Sequence, residues 1–496
     1  MFLEIAVSLF LISFTWYAYS YMIRRNMPPG PIPYPFIGNI PHMMCDPVNP
    51  FGHLAEKYGD IYSLSLPMGN VVVVSTSSLI RDARLGRNDD LSGKSAKSMF
   101  PFPDILGNDL AVADFSTAYL FRKRVFKSAI HIFGSGIAQA EDRARHAVDL
   151  AIAEIETQRP EPFSPKKVFE SAIYAQIWEW LTSRRVPLND PTIKSLINFG
   201  DTLVGLPVIS VLYQAIPFLS YLPSKFQREI KRAQKIRDDL LTAEFRYHQQ
   251  TYTPGVIRDL TDSFICAYEK ENAKESRKDI GSVEDIPYLM LDVAFAGADT
   301  TSASLAWFFL FMVRHQDIQK KLHEELDRAV MENGCLPSSV DPDEMPYMQA
   351  TICEIERVSG LVITTATNAI RDITLGGYHI PKGCLVVLNI RKVHLDEREW
   401  PEHDKFKPER FLDSAGKFIG WSKLPGFIPF GLGRRECPGQ SLAKIMMFTF
   451  ASTLLHRYKI ELPDGGDLPT TEPSESDATV ATVRPKNFQV VAKKRF

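Results

Sequence analysis

Cys437 lies in FIPFGLGRRECPGQSLA, Phe427 to Ala443, between two arginines and a proline. Pro429, Gly431, Gly433 and Pro438 make helix or strand costly there, so the segment reads as a structured loop. Arg434, Arg435 and the N-terminus of a helix starting near Gln440 are expected to lower the thiol pKa. The expectation is an exposed thiolate, the form that acts as nucleophile or metal ligand. Three other groups could do chemistry or support it. In AGADTT (Ala296–Thr301), small residues let a flat ligand approach the backbone, and Asp299 sits beside the Thr300 hydroxyl. Taken alone, that pattern is better explained as a helix kink whose threonine satisfies a freed carbonyl. In EIER, Glu354 and Arg357 share one helix face and can pair. Arg410, in FKPERF, could join them in a buried network, though alone it marks a surface turn.

These groups need a large body to position them. The chain has 496 residues, 45% hydrophobic and 23% charged, the balance of a globular protein with a sizeable core. A net charge of -2 gives no pull toward nucleic acid. The six cysteines contain no CxxC pair, which suits a reducing compartment rather than a disulfide framework, and all but Cys437 read as small buried hydrophobes. Met290–Arg314 is apolar around its circumference but carries Asp292 and Asp299, so it reads as a long helix through the core, with Ser282 and Asp285 as a capping box. Asp60–Ser77 reads as a strand pair, DIQKKLHEELDRAV as a surface helix, and Tyr268–Asp279 as a charged, solvated connector. Gly205–Pro223 fits either a core helix-loop-helix or a membrane-dipping element.

Ile5 to Ile23 is uncharged and about the length that crosses a bilayer, preceded by Glu4 and followed by Arg24-Arg25. The expected layout is an anchor over 1–25, a stiff proline-rich neck over 26–42 and a cytosolic body over 43–496.

Together and in this order, the patterns resemble the cytochrome P450 superfamily of haem-thiolate monooxygenases. The cysteine loop fits FxxGxRxCxG through Phe430, Gly433, Arg435, Cys437 and Gly439. YHIPKG (Tyr378–Gly383) and HLDEREWP (His394–Pro401) support it, and the neck is most like the animal microsomal group of steroid hydroxylases and xenobiotic oxidisers. The resemblance implies a mainly α fold with small β-sheets, a single large domain with a long central helix. It implies haem as cofactor, Cys437 as the axial ligand of its iron, Phe430 packed beside the sulfur and Arg435 on a haem propionate. It further implies that Ala296 lets the haem approach, that Asp299 and Thr300 relay protons on the oxygen side, and that Glu354, Arg357 and Arg410 lock the fold. The family's WxxxR contact to the propionates becomes YLFRKR here, which gives Tyr119 and Lys123, with Arg122 and Arg124 beside them. Thr367 stands where the family often has Arg or His, and its segment (Val358–Ala369) is expected to line the substrate pocket.

The implied activity is O2- and NADPH-dependent hydroxylation of an apolar molecule, a steroid, other lipid or xenobiotic, at the endoplasmic reticulum membrane. No GxGxxG follows a strand, so electrons would come from a separate NADPH-dependent reductase, with cytochrome b5 as a further partner. Lys123, Lys127, Arg434 and Lys444 are candidates for the docking face. The alternatives are a haem-thiolate isomerase or lyase acting on peroxides without O2, which tends to lose the acid–alcohol pair, and a non-catalytic haem sensor or carrier.

Overall fold

The computed structural model describes residues 14–18, 21–22, 24–46, 49–96, 101–133, 137–216, 218–219, 222–275, 280–336, 344–473 and 482–496. Most of the Ile5–Ile23 run lies outside them. Among the described residues no helix is long and apolar enough to cross a membrane.

The body is mainly helical with three small sheets. Strands β1 (Ile61–Leu66) and β2 (Gly69–Val74) form the expected antiparallel pair. β3 (Thr364–Asn368) comes from the threonine-rich segment, while β4 (Ile373–Leu375) and β5 (Tyr378–Ile380) make a hairpin of their own. β6 (Leu385–Asn389) pairs parallel with β2 and antiparallel with β3, so the main sheet runs β1-β2-β6-β3. β6 is buried at every position and apolar from Leu385 to Leu388, as suits an inner strand. β7 (Tyr458–Glu461) and β8 (Val491–Lys494) pair near the C-terminus.

The central helix forms as the apolar run requires, but in pieces. Ile286–Asp292 and Ala298–Arg314 are α-helical, and Val293–Gly297 between them is a π-helical turn. Its start departs from the capping-box expectation. Ser282 does accept the Glu284 N–H at 3.1 Å, but Asp285 is engaged elsewhere, by Asn108 and Arg122.

Other expectations need correction. The charged connector begins as helix, because Leu260–Lys274 runs on through Tyr268–Lys274 with Glu269, Lys270, Ala273 and Lys274 exposed, and residues 276–279 lie outside the described ones. Residues 191–215 form one helix that carries Pro207 inside it. Cys353 and Cys384 are buried as expected, but Cys45 and Cys335 are exposed. The neck is fastened to the body rather than spaced from it. Ser63 N donates to Pro29 O at 2.7 Å, Ser63 Oγ donates to Pro28 O at 2.6 Å, and Arg24 donates to Pro31 O at 2.9 Å. A Cβ on Gly30 would fall 1.9 Å from Ser63 O, so only glycine allows that approach.

Candidate active site

Main-chain contacts fix the cysteine loop. Cys437 N donates to Phe430 O at 2.8 Å, and Gly433–Arg435 form a single 3-10 turn. Gly433 has φ +72°, and a Cβ there would lie 2.3 Å from Arg84 O, so this glycine serves the packing of the loop on a neighbouring turn. The loop runs into the Gln440–Arg457 helix with Gly439 at its N-cap. The Phe430 ring rests against Trp421, with the Lys444 ammonium over it.

The exposed, acidified thiolate is not what the fold produces. Cys437 is only partly exposed, and burial pushes its thiol up. The backbone N–H of Gly439 lowers it, the charge of Glu436 raises it, and Lys123 lowers it. The two neighbouring arginines point elsewhere. Arg434 pairs with Asp89. Arg435 donates to the carbonyls of Ser92 (2.9 Å), Leu110 (3.2 Å) and Ala113 (2.8 Å) and lies 3.9 Å over the Tyr119 ring. A buried thiol of this kind ionises when a metal cation supplies the charge it lacks.

Tyr119 and Lys123 project from the Thr117–Phe133 helix toward the loop, and both donate to Arg434 O, Tyr119 at 3.2 Å. Burial, then the charge of Lys127, pulls the Lys123 ammonium down to about 8. Arg122 and Arg124 turn away. Arg122 pairs with Asp285 at 3.4 Å, and Arg124 with Glu271 and Glu275. Two cations missed by sequence reasoning complete the group. Arg84 is 4% exposed, and Lys94 is half-buried. Lys94 is lowered to about 7 by burial and then by Arg435 and Arg84. Thr367, expected in a substrate pocket, is buried and accepts a hydrogen bond from Arg84 Nη1 at 3.0 Å.

On the central helix the carbonyl-satisfying reading of AGADTT holds. Thr300 Oγ1 donates to Ala296 O at 2.8 Å just after the π-helical turn, satisfying a carbonyl. Ala296 is exposed and Thr300 half-buried, while Asp299 is buried and paired with Arg484 from the C-terminal segment. Arg484 also stands 3.6 Å from the exposed Asp201. Nothing local in the sequence signals Arg484, which is 185 residues from its partner.

The Glu354–Arg357 pair is bidentate, Nε to Oε2 at 2.7 Å and Nη2 to Oε1 at 2.8 Å, with neither side chain exposed. Arg410 Nε adds a bond to Glu354 at 3.3 Å, so the expected triad forms. Arg357 also donates to His394 O at 2.8 Å, and His394 Nε2 accepts the N–H of Ile428 at 3.0 Å, which carries the network to the base of the cysteine loop. Burial, then Arg357, lowers His394 to about 3 and so keeps it a neutral acceptor.

A cavity of about 770 Å³, lined in part by Trp178, Tyr247 and His248, does not include these residues. His248, Asp259 and Asp262 lie close enough there to share a metal ion. Their bonds are already used within the protein, His248 with Asp259 at 2.8 Å and Asp262 with Arg258 at 2.6 Å.

A family model for cytochrome P450 matches residues 28–492. The chain belongs to the cytochrome P450 family. This P450 is 31% identical to cytochrome P450 2E1 of Oryctolagus cuniculus, over 92% of this chain and 90% of that one. It is 28% identical to a steroid 17-alpha-hydroxylase/17,20 lyase of Ictalurus punctatus, over 96% and 93%. Its fold matches a zebra fish cytochrome P450 solved with progesterone, with a TM-score of 0.77 and 27% identity, covering 91% of this chain and 99% of that one. The protein is therefore a haem monooxygenase. The donor set fits that cofactor, since a buried thiol at a helix start could take the iron and the cations beside it could take the haem carboxylates.

Proposed function

We propose that this P450 hydroxylates a steroid or related lipid, using O2 and electrons from NADPH delivered by a separate flavoprotein reductase, with cytochrome b5 as a further donor. The observation that carries the reading is one fold holding both a half-buried cysteine at a helix start and an acid–alcohol pair beside a π-helical turn. The steroid class is supported by two similar proteins, the steroid 17-alpha-hydroxylase/17,20 lyase and the zebra fish P450 solved with progesterone.

In this reading Cys437 would bind the haem iron through its sulfur, and Gly433, Gly439 and Phe430 shape the loop that presents it. Arg435, Tyr119 and Lys123 hold the carboxylate side, and Ala296 leaves room for the flat face. The bound haem supplies the activation of O2. Thr300 holds a proton on Oγ1 one helical turn from Ala296 O, and Asp299, tethered by Arg484, receives and returns protons from the protein side. Glu354, Arg357 and Arg410 keep the loop in register through His394 and Ile428.

Residues 1–25 would anchor the chain in the endoplasmic reticulum membrane, with the fastened neck (26–42) and the catalytic domain (43–496) on the cytosolic side. Lys127, Lys123, Arg434 and Lys444 would form the reductase face. Lys127 is the most exposed of them and pairs loosely with Glu436 at 3.3 Å. The test is turnover of a steroid panel, progesterone included, by purified holoprotein with reductase, NADPH and isotopically labelled O2. One labelled oxygen per product supports the reading. Rearrangement of added lipid peroxides without reductase would replace it with the isomerase.

A further inference from the structure

Arg84 sits on a π-helical turn, Asp82–Gly86, directly beneath the cysteine loop, its carbonyl against Gly433. π-Helical turns insert one residue into a helix, re-aim the side chains that follow and recur at functional sites. The guanidinium is nine-tenths buried and donates from Nη1 to Leu91 O (2.9 Å) and to Thr367 Oγ1 (3.0 Å). Among the described residues no carboxylate pairs with it, and no hydrogen bond reaches its Nε or Nη2. The other cations here have acids to face. Arg435 faces Asp114 and Asp109, and Lys94 faces Asp109. The charged and titratable groups that act most strongly on Arg84 are Arg435 and the Tyr119 phenol. A buried guanidinium without a counter-charge is expensive, and its forked donors suit a carboxylate.

Thr367 supplies the second observation. It occupies the strand position where the family often has Arg or His, so the strand itself offers no cation. Arg84 reaches that strand from the opposite element and bonds the hydroxyl that stands there.

We propose that Arg84 binds a haem carboxylate in this protein, oriented by Thr367, so that the cation missing from strand β3 is supplied by the turn at Asp82–Gly86. The inference rests on the placement of haem against Cys437 proposed above. Arg84 is a cofactor-binding residue in this account, and Thr367 positions it.

The test is the rate of haem transfer from purified holoprotein to excess apomyoglobin, a readout independent of turnover. Arg84→Leu is expected to speed transfer by on the order of tenfold, the loss of one charge-assisted hydrogen-bonded contact. Adding Thr367→Arg to Arg84→Leu returns a cation to the strand and is expected to slow transfer again. A wild-type transfer rate in Arg84→Leu overturns the proposal. If Arg84→Leu gives no holoprotein, recovery in the double variant supports the proposal, and failure in both means that Arg84 is structural and overturns it. A wild-type protein that binds haem without a thiolate-type carbon monoxide spectrum would sink the placement at Cys437, an outcome separate from an unchanged rate in Arg84→Leu.

Discussion

Two buried charged regions of this P450 flank the cysteine loop, and they are built on opposite principles. In the Glu354–Arg357–Arg410 region every charge is answered from within the protein: one bidentate pair, a second arginine and several carbonyls. In the region of Arg84, Lys94 and Arg435 the cations crowd one another, and among the described residues no carboxylate pairs with Arg84. Burial lowers both Arg84 and Lys94, and their like charges lower them further. A buried charge network that closes on itself holds a fold; one left open on the cationic side holds an anionic ligand.

The closed region should break most severely. Arg357→Leu leaves Glu354 as a buried, half-answered carboxylate and is expected to cost about 3–5 kcal/mol of stability, read from denaturant unfolding of the holoprotein. A loss under about 1 kcal/mol would mean that the triad is dispensable.

Glu356 sharpens the contrast from the same helix. It is buried, accepts the Ser304 hydroxyl at 2.5 Å, and burial raises its carboxyl to about 7. The folded protein therefore holds a proton there that the unfolded chain releases near 4.5. That contribution is fully present below the unfolded value and is lost as pH rises through about 7. Glu356→Gln should flatten this decline, with a difference on the order of 3 kcal/mol between the two ends of the window. Parallel stability–pH curves for variant and wild type would count against it.

Asp299, on the oxygen side in the proposed reading, is an intermediate case, an acid answered by one cation that another acid can also reach. Asp299→Asn is expected to cut product formed per NADPH by roughly 10²-fold, the usual scale of a lost acid–base group, with peroxide appearing instead. Arg484→Gln frees the Asp299 carboxylate and should shift the pH profile of coupling, which a purely structural arginine would leave in place. The smallest effect belongs to the surface. Lys127→Ala should leave stability and haem retention unchanged while raising the KM for reductase by about two- to fivefold, more at low salt than at high.

What the sequence made legible follows from distance along the chain. The cysteine loop, the AGADTT helix and EIER place their groups within a few residues, so spacing and local sterics reveal them. Even there the ionisation of Cys437 was misjudged, because adjacent arginines fix charge in the sequence but not where the guanidiniums point. Arg84 meets Thr367 across 283 positions and Arg484 meets Asp299 across 185, and no periodicity encodes either pair. Arg84 follows SSLIRDA in a short amphipathic stretch, where it looks like one more solvated arginine. The departure at Thr367 was visible, but what compensates for it required the fold.

The most direct test of the account is the carbon monoxide difference spectrum of the dithionite-reduced holoprotein, recorded for wild type and Cys437→Ser. A strongly red-shifted Soret band in the wild type, lost in the variant, is required if Cys437 binds the iron as thiolate. A band at the shorter wavelength of thiol- or histidine-ligated haem in the wild type, or a red-shifted band that survives in Cys437→Ser, would contradict it.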